Sequence, residues 1–347
     1  MAFSATGKNE VLSDECGNVY MCIKGRGETP PVVVSAHLDT VFPIETDLSI
    51  TTTPEKIMGP GIGDNSLGLA GLFGLYWSIT TAMNGHKKTL PLAGDLWLVA
   101  NVGEEGLGNL KGMKNVVDRF GSDVLAYIVL EGISLGQIYH RGLGVRRYSI
   151  SVQTKGGHSW LDYGSPSAIH EIADIIVKIK GLNIPAEPRT SINIGVISGG
   201  SSVNTIAAEA SLQLDLRSVS PQALQTLSNQ VAMIVYEANQ KSGEAIQVKA
   251  HTIGERPPGE IHSDHQLVRL AIECHRANGI EAKLNIGSTD ANVPLSRGLP
   301  AICVGLTTGG GAHTKGEYLD IPPLERGVRM LVNLIQGVFQ RGYRNGK

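Results

Sequence analysis

Hydrophobic residues in the first part of the chain fall in short runs that alternate with a helical pattern. The runs at residues 32–36, 96–100 and 127–130 are apolar throughout, which is typical of strands buried on both faces of a sheet. Residues 67–79 instead carry apolar side chains at the spacing of a buried helix. This alternation predicts an α/β fold in which helices sandwich a mixed, mostly parallel sheet.

A different order of elements begins near residue 144. We expect two helices here, each opened by a Ser-Pro pair, and four strands around them. The expected strands cover residues 147–154, 192–197, 210–216 and 246–252, and the expected helices cover residues 165–180 and 220–241. The order strand-helix-strand-strand-helix-strand is that of a ferredoxin-like α+β fold.

The α/β pattern returns after Pro257 and Pro258. A helix at 264–277, a strand at 301–304 and a helix from about residue 323 are expected there. We therefore predict a catalytic, metal-binding domain made of residues 1–143 and 255–347. Residues 144–254 would form a smaller inserted domain, whose sheet edge or helical face could serve a homodimer.

Charge and composition argue against several classes of protein. The 30 Lys and Arg residues nearly balance the 32 Asp and Glu residues, without any block of like charge, so neither nucleic-acid binding nor an acidic tail is indicated. Apolar runs stay short of the ~18 residues of a membrane span. Residues 1–6 do not resemble a signal peptide, and the four cysteines are scattered. We expect a soluble cytoplasmic protein that does not bind membranes.

Five residues that bind metal well each lie where an apolar run ends in a glycine-rich turn. Open α/β sheets place their sites at the carboxyl ends of strands, and a charge that emerges from an apolar strand needs a partner. Taken singly, each residue has an ordinary alternative: a polar turn, a helix cap or a solvated surface pair. The five candidate ligands are His37, Asp64, Glu105, Glu131 and His313.

The charges of this set favour two metal ions over one. Three carboxylates and two neutral imidazoles leave one negative charge around one divalent ion, but one positive charge around two. A bridging hydroxide would neutralise that charge, and two ions sharing Asp64 would lower the pKa of its parent water. Zinc is the expected metal, with cobalt or manganese as alternatives because carboxylates dominate. Glu104 points away from Glu105 and is placed to act as a base.

His37 and Asp39 lie two residues apart at the end of a predicted strand, so both side chains leave the same face. We expect the Asp39 carboxylate to orient the His37 ring through the nitrogen that does not bind metal.

Six short motifs follow one another along the chain: His37-Leu38-Asp39-Thr40, Gly63-Asp64-Asn65, Glu104-Glu105-Gly106, Glu131-Gly132, Gly156-Gly157-His158-Ser159 and Gly311-Ala312-His313. In this order they resemble the dinuclear zinc exopeptidases and deacylases. That family includes peptidase T, glutamate carboxypeptidase, acetylornithine deacetylase and succinyl-diaminopimelate desuccinylase. The resemblance covers nearly the whole chain, including the inserted domain, which is called a lid in that family.

The resemblance implies how the ligands are shared. One metal would be held by His37, Asp64 and Glu131, and the other by Asp64, Glu105 and His313. It also implies that Glu104 is the general base and then the acid, that Asp39 orients His37, and that the peptide bond after Asp64 is cis.

Within the inserted domain, the resemblance implies three substrate contacts. His158 would reach the substrate carbonyl, in dimeric members from the partner chain, while Asn204 and Arg217 would hold the substrate's polar end or carboxylate. Without the resemblance, an exposed histidine and a surface ion pair would explain His158 and Arg217.

Two features bear on where this chain stands in that family. Members usually carry an N-terminal helix before the first strand, and His37 comes too early to leave full room for it. We expect either a truncated chain or a different cover for that surface. The triplet Asp64-Asn65-Ser66 resembles the aminopeptidase-like branch.

The sequence therefore predicts a metal-dependent amide hydrolase. More narrowly, we expect an exopeptidase (an aminopeptidase, dipeptidase or tripeptidase) that acts on short peptides. A deacylase of N-acyl amino acids with the same metal site is the main alternative, because both reactions pass through the same tetrahedral intermediate. A non-catalytic binding protein is a further alternative, and the intact ligand set together with Glu104 argues against it. A metal-free dimerisation module is a third alternative, which elemental analysis of the purified protein would test.

Overall fold

The computed structural model describes residues 11–80, 92–184, 186–242 and 245–342. Contacts divide the chain into two units, Met1–Gly142 with Gly259–Lys347, and Leu143–Pro258. The expectation about a signal peptide concerns residues 1–6, which lie outside the described residues. Every helix in the described ranges is too short or too polar to cross a membrane.

The first part of the chain alternates strands and helices. A π-helical turn, Ile62–Leu67, leads directly into its first helix. The elements are β1 (Val11–Ser13), β2 (Val19–Ile23), β3 (Val32–His37), β4 (Thr51–Thr52), β5 (Lys56–Met58), α1 (Gly68–Thr80), β6 (Leu96–Asn101), α2 (Lys111–Phe120), β7 (Ala126–Leu130) and β8 (Gln137–Gly142).

The unit Leu143–Pro258 contains the predicted α+β order and a short extra hairpin. Its elements are β9 (Gly144–Thr154), β10 (Gly157–His158), α3 (Ala168–Lys180), β11 (Thr190–Gly199), β12 (Thr205–Ile206), β13 (Glu209–Ser218), α4 (Pro221–Ser242) and β14 (Ile246–Arg256).

The rest of the chain completes the first unit. Its elements are β15 (Gly259–Glu260), α5 (Gln266–Ala277), β16 (Lys283–Gly287), α6 (Asn292–Ser296), β17 (Ala301–Val304), β18 (Gly309–Gly310), β19 (Tyr318–Asp320) and α7 (Leu324–Arg341).

The first unit is built on one mixed sheet. Its strand order is β1-β2-β6-β3-β7-β17-β8-β15, and β16 pairs with β8. The four central strands β6, β3, β7 and β17 run parallel, and β2 and β8 pair with them antiparallel. Every residue of β3, β7 and β17 is buried, as the unbroken apolar runs predict. The predicted α/β class is confirmed.

A second, small sheet in this unit was not predicted. Its order is β18-β19-β5-β4. Its strands are only two or three residues long, so the sequence offers no hydrophobic period from which to predict them. The sheet places the chain segment before Asp64 beside the segment after His313.

The inserted unit has a four-stranded antiparallel sheet in the order β11-β13-β9-β14. This is the ferredoxin-like order that the sequence predicts. Ser220 caps α4 as expected, because its hydroxyl accepts a hydrogen bond from the Ala223 amide. The other Ser-Pro prediction is wrong in its start: α3 begins at Ala168, since Ser165 still belongs to the preceding turn.

Candidate metal centre

Parallel strands bring the first candidate ligands to one edge of the main sheet. His37 is the last residue of β3 and lies in register with Asn101, the last residue of β6. Glu131 directly follows β7, the other neighbour of β3. Glu104 and Glu105 follow β6 within a few residues. Carboxyl ends of parallel strands meet at one edge, so these side chains converge.

Three of the candidate ligands form a group that we call the buried half-site: His37, Asp64 and Glu131. One ligand atom from each lies within 4.8 Å of the others. The His37 Nε2 atom is 3.0 Å from Asp64 Oδ1 and 3.9 Å from Glu131 Oε2. The His37 side chain is only 1% exposed.

A second group, the open half-site, consists of Asp64, Glu105 and His313. The His313 Nε2 atom is 3.1 Å from Asp64 Oδ2 and 3.2 Å from Glu105 Oε1. The His313 side chain is 54% exposed and belongs to a loop residue with a left-handed backbone, φ 66°. Asp64 therefore turns one carboxylate oxygen to each histidine and is shared by both half-sites.

The residues present fit two divalent ions. His37 Nε2, Asp64 Oδ1 and Glu105 Oε1 are buried without a hydrogen bond to any described residue. A buried polar atom that lacks a partner is costly, and these three are metal-ligand atoms that face one another. The set of two imidazoles and three carboxylates suits zinc, manganese or cobalt.

The pKa shifts of the cluster also indicate that it would be stabilised by added positive charge. Burial lowers the pKa of His37, but the Asp64, Glu131 and Asp290 carboxylates outweigh it and raise that pKa to about 11. Burial raises the pKa of Glu131 well above its usual range. Burial also acts to raise the pKa of Asp64, yet His37 and His313 hold it below its usual value. The cluster thus has more buried carboxylates than its own cations neutralise.

Glu104 lies beside the half-sites and is 6% exposed. One of its carboxylate oxygens lies within 4.8 Å of a ring nitrogen of His37 and an oxygen of Glu105. This distance allows one water molecule to contact Glu104 and the metal ligands at the same time.

Asp39 differs from expectation. The His37 Nδ1 atom bonds to the backbone carbonyl of Asp39 at 2.9 Å, while the Asp39 carboxylate is 3.8 Å from it. That carboxylate instead accepts the amides of Gly103, Glu104 and Glu105 at 2.8, 3.2 and 2.8 Å. Three amide donors occupy its oxygens, so Asp39 fixes the loop that carries the base and a ligand.

The loop that carries Asp64, residues 59–66, is called the Asp64 loop. Two residues to which the sequence analysis gave no role hold it in place. Glu317 is fully buried and accepts amides of that loop, including that of Asp64 at 2.7 Å. The Asn65 side chain donates to the Leu130 carbonyl at 2.7 Å and accepts from the Gly132 amide at 3.1 Å. Asn65 thereby ties the loop to both sides of Glu131. The Asp64–Asn65 peptide bond is cis, as the resemblance implies.

A buried polar pair underlies the site and was also missed. Asn101 donates to Asp290 Oδ2 at 2.7 Å, and both side chains are 0% exposed. Burial and the nearby Glu104 carboxylate raise the pKa of Asp290 to about 7. The only signal in the sequence is that Asn101, a polar but uncharged residue, ends an apolar strand. Residues of this kind were not among the candidate metal ligands.

In the inserted unit, the structure brings two of the three predicted substrate contacts together. β10 and β12 pair His158 with Thr205, and the Ser159 amide bonds to the Asn204 carbonyl at 3.1 Å. The His158 Nδ1 atom accepts the Trp160 amide at 3.2 Å, so the proton of the neutral ring lies on Nε2. Both His158 and Asn204 are exposed.

Arg217 lies elsewhere in this unit. It is near the end of β13, eight residues after Glu209 at the start of that strand, which is roughly 26 Å along an extended chain. It donates to Asp215 Oδ1 at 2.7 Å, and Arg147 donates to Asp215 Oδ2 at 2.9 Å. The surface ion pair expected without the resemblance is therefore present.

Comparisons with known proteins match this architecture. The family model of peptidase family M20/M25/M40 matches residues 33–337. An uncharacterized protein of Bacillus subtilis, YqjE, is 24% identical over 339 residues, which cover 94% of this chain and 86% of that protein. A probable carboxypeptidase of Arthroderma otae is 24% identical over 279 residues, which cover 74% of this chain and 58% of that protein.

Solved structures show the same fold. A tripeptidase from Staphylococcus aureus superposes with a TM-score of 0.81 at 23% identity, covering 97% of this chain and 90% of that one. The aminopeptidase PepT from Bacillus cereus gives 0.77 at 21% identity with the same coverage. The YxeP protein of Bacillus subtilis, described as a dinuclear metal-binding peptidase, gives 0.67 at 17% identity, covering 98% and 90%.

Proposed function

This chain belongs to peptidase family M20/M25/M40 and is a metallohydrolase, and on that premise we propose that it is an exopeptidase that removes residues from short peptides. Two divalent ions are the cofactors of the site, and we propose that they are zinc. His37, Asp64 and Glu131 would hold one ion, and Asp64, Glu105 and His313 would hold the other.

A single observation carries the two-metal site on which the proposal rests: the two oxygens of Asp64 face different histidines, at 3.0 Å for His37 and 3.1 Å for His313. A carboxylate in that position would serve as a ligand in both half-sites. When bound, such a pair of ions activates a water molecule and polarises the substrate carbonyl.

Glu104 would supply the proton transfers. It would take a proton from the attacking water and pass it to the leaving amine, so that one carboxylate serves as base and then as acid. Its burial supports this role, because a water-excluded carboxylate exchanges protons with the substrate rather than with solvent. Asp39 would keep the Glu104 backbone in place through the three amides that it accepts.

The inserted unit would supply substrate contacts. We propose that the Nε2–H of His158 donates to the oxyanion and that Asn204 holds the polar end of the substrate. Their proximity across the β10–β12 hairpin supports a joint role. Arg217 is proposed to recognise a carboxylate, at a separate position on β13.

The names of relatives support the exopeptidase proposal, but they differ in the peptide terminus from which residues are removed. They include a tripeptidase, an aminopeptidase and a probable carboxypeptidase. The alternative of an N-acyl amino acid deacylase rests on the shared chemistry of the two reactions. Aminopeptidase action is favoured by the resemblance of Asp64-Asn65-Ser66 to that branch.

A substrate comparison with the zinc-loaded protein tests the proposal. Three sets are assayed side by side: di- and tripeptides, the same peptides blocked at the amino or carboxyl terminus, and N-acetyl or N-succinyl amino acids. We expect turnover of free tripeptides and dipeptides and loss of turnover when the amino terminus is blocked. Faster turnover of N-acyl amino acids than of any peptide would replace the exopeptidase proposal with the deacylase.

A further inference from the structure

A fully buried carboxylate connects the two loops that carry Asp64 and His313. Glu317 lies four residues after His313, directly before β19, and is 0% exposed. Its Oε1 atom accepts the amides of Gly63 and Asp64, each at 2.7 Å, and its Oε2 atom accepts the amide of Gly61 at 3.1 Å. Its backbone carbonyl accepts the Gly59 amide at 2.9 Å.

We propose that Glu317 is a positioning residue for the metal centre, which sets where the shared ligand Asp64 stands relative to His313. The inference rests on the proposed two-metal function, because positioning matters only if both ligands serve the same centre. Glu317 does not face the metals itself, since both of its carboxylate oxygens are used by loop amides.

The side chain of Asn65 holds the end of the Asp64 loop, and Glu317 holds the residues before it. β5 ends at Met58 and the π-helical turn begins at Ile62, so the residues between them are outside regular structure. The bonds within the loop are long, at 3.3 Å from the Ile62 amide to the Gly59 carbonyl and 3.2 Å from the Ser66 amide to the Gly61 carbonyl. The bonds from the Gly63 and Asp64 amides to the Glu317 carboxylate, each at 2.7 Å, are the shortest of these.

The packing around the Asp64 loop leaves no room for a side chain at position 63, with Ile133 as the nearest obstacle and Glu317 as the next. A Cβ atom there would lie 2.5 Å from Ile133 Cγ2 and 3.1 Å from Glu317 Oε1. A side chain at position 63 would thus push the loop away from both neighbours. Gly63 gives a second way to disturb the contact while the charge of Glu317 is kept.

Replacement of Glu317 by glutamine is the matched change. Glutamine has the same shape, but only its oxygen accepts, while its NH2 group donates. Whichever way the amide is turned, a donor faces at least one of the amides of Gly61, Gly63 and Asp64. The control is Asp320→Asn on β19, because Asp320 accepts from Thr308 Oγ1 at 2.6 Å within the same small sheet and does not contact the Asp64 loop.

Zinc titration of the metal-free protein by calorimetry is the test, with the absorption spectrum of the cobalt-loaded protein as a second readout. We expect Glu317→Gln to weaken zinc binding by about tenfold or more and to change the cobalt spectrum, while Asp320→Asn stays within about twofold of wild type. If Glu317→Gln does not fold, Gly63→Ala is expected to show the same loss.

Wild-type zinc affinity and an unchanged cobalt spectrum in either Glu317→Gln or Gly63→Ala would overturn the positioning role. An equal loss in Asp320→Asn would also overturn it, because the effect would then belong to the small sheet as a whole. If the wild-type chain itself binds fewer than two zinc ions, the proposed function fails, and that result is distinct from failure of the inference.

Discussion

The two half-sites share Asp64 but are built differently. In the buried half-site, His37 ends an interior strand and its side chain is 1% exposed. In the open half-site, His313 lies on a loop, has a left-handed backbone and is 54% exposed. A ligand on an interior strand is fixed by the sheet, whereas a ligand on a loop depends on neighbours such as Glu317. The comparison indicates that the main sheet fixes the ligands of the buried half-site, whereas the open half-site depends on how a loop is held.

We expect the strongest loss of activity from a change at Glu104, which belongs to neither half-site. Glu104→Gln removes the proposed base and keeps the shape of the side chain, so we expect turnover to fall by about a thousandfold while zinc content stays at the wild-type value. Steady-state kinetics with elemental analysis of the same sample measures both. Turnover close to wild type would remove Glu104 from the mechanism, and loss of zinc would make it a ligand.

Paired histidine variants test the difference between the half-sites directly. In the metal-free protein, His37→Gln removes a buried cation from between Asp64 and Glu131, and we expect the free energy of unfolding to fall by about 3 kcal/mol. His313→Gln changes a largely exposed side chain, and we expect a change within about 0.5 kcal/mol. Urea unfolding after chelation measures both. Equal losses would contradict the distinction between a half-site fixed by the sheet and one that depends on a loop.

The pH dependence of the metal-free protein should come mainly from the buried half-site, and the raised pKa values of Asp290 and Glu105 add to it in the same direction. The pKa of His37 is raised to about 11 in the folded chain, so its contribution to stability is complete below the ordinary value of 6.5 and is lost as the pH rises towards 11. The pKa of Glu131 is raised as well, so this residue also makes the folded chain more stable at lower pH. Asp64 has a lowered pKa, and its opposite contribution is already complete above its ordinary value of 3.8.

We therefore expect the free energy of unfolding of the metal-free chain to fall by about 1 kcal/mol or more between about pH 6 and about pH 9. His37→Gln should flatten this slope, and His313→Gln should leave it in place. Stability that rises with pH over this interval would mean that the carboxylates of the site are not held beside His37 as described.

The sequence predicts the candidate ligands of both half-sites but not the residues that support them, for a physical reason. His37 and Glu131 end apolar strands, and a charged residue after such a run is conspicuous. Glu317 and Asp290 lie in polar stretches, and their partners are far away in the chain. The bond from the Asp64 amide to Glu317 spans 253 residues, and no local pattern reports it.

The same limit explains the outcome for Asp39. Its position two residues after His37 correctly places it beside the ring, but its carboxylate accepts three amides that follow β6. Spacing along one strand shows which face a side chain leaves, while its partner depends on a loop from the neighbouring strand. For the same reason, the main sheet was predictable from its long apolar runs and the small sheet was not.

Anomalous diffraction from crystals of the zinc-loaded protein would show whether Asp64 is shared by two metal ions. We expect two anomalous peaks roughly 3.5–4 Å apart, one beside His37 and Glu131 and one beside Glu105 and His313, with an oxygen of Asp64 at each. A single peak, or two peaks that do not share Asp64, would contradict the two-metal proposal.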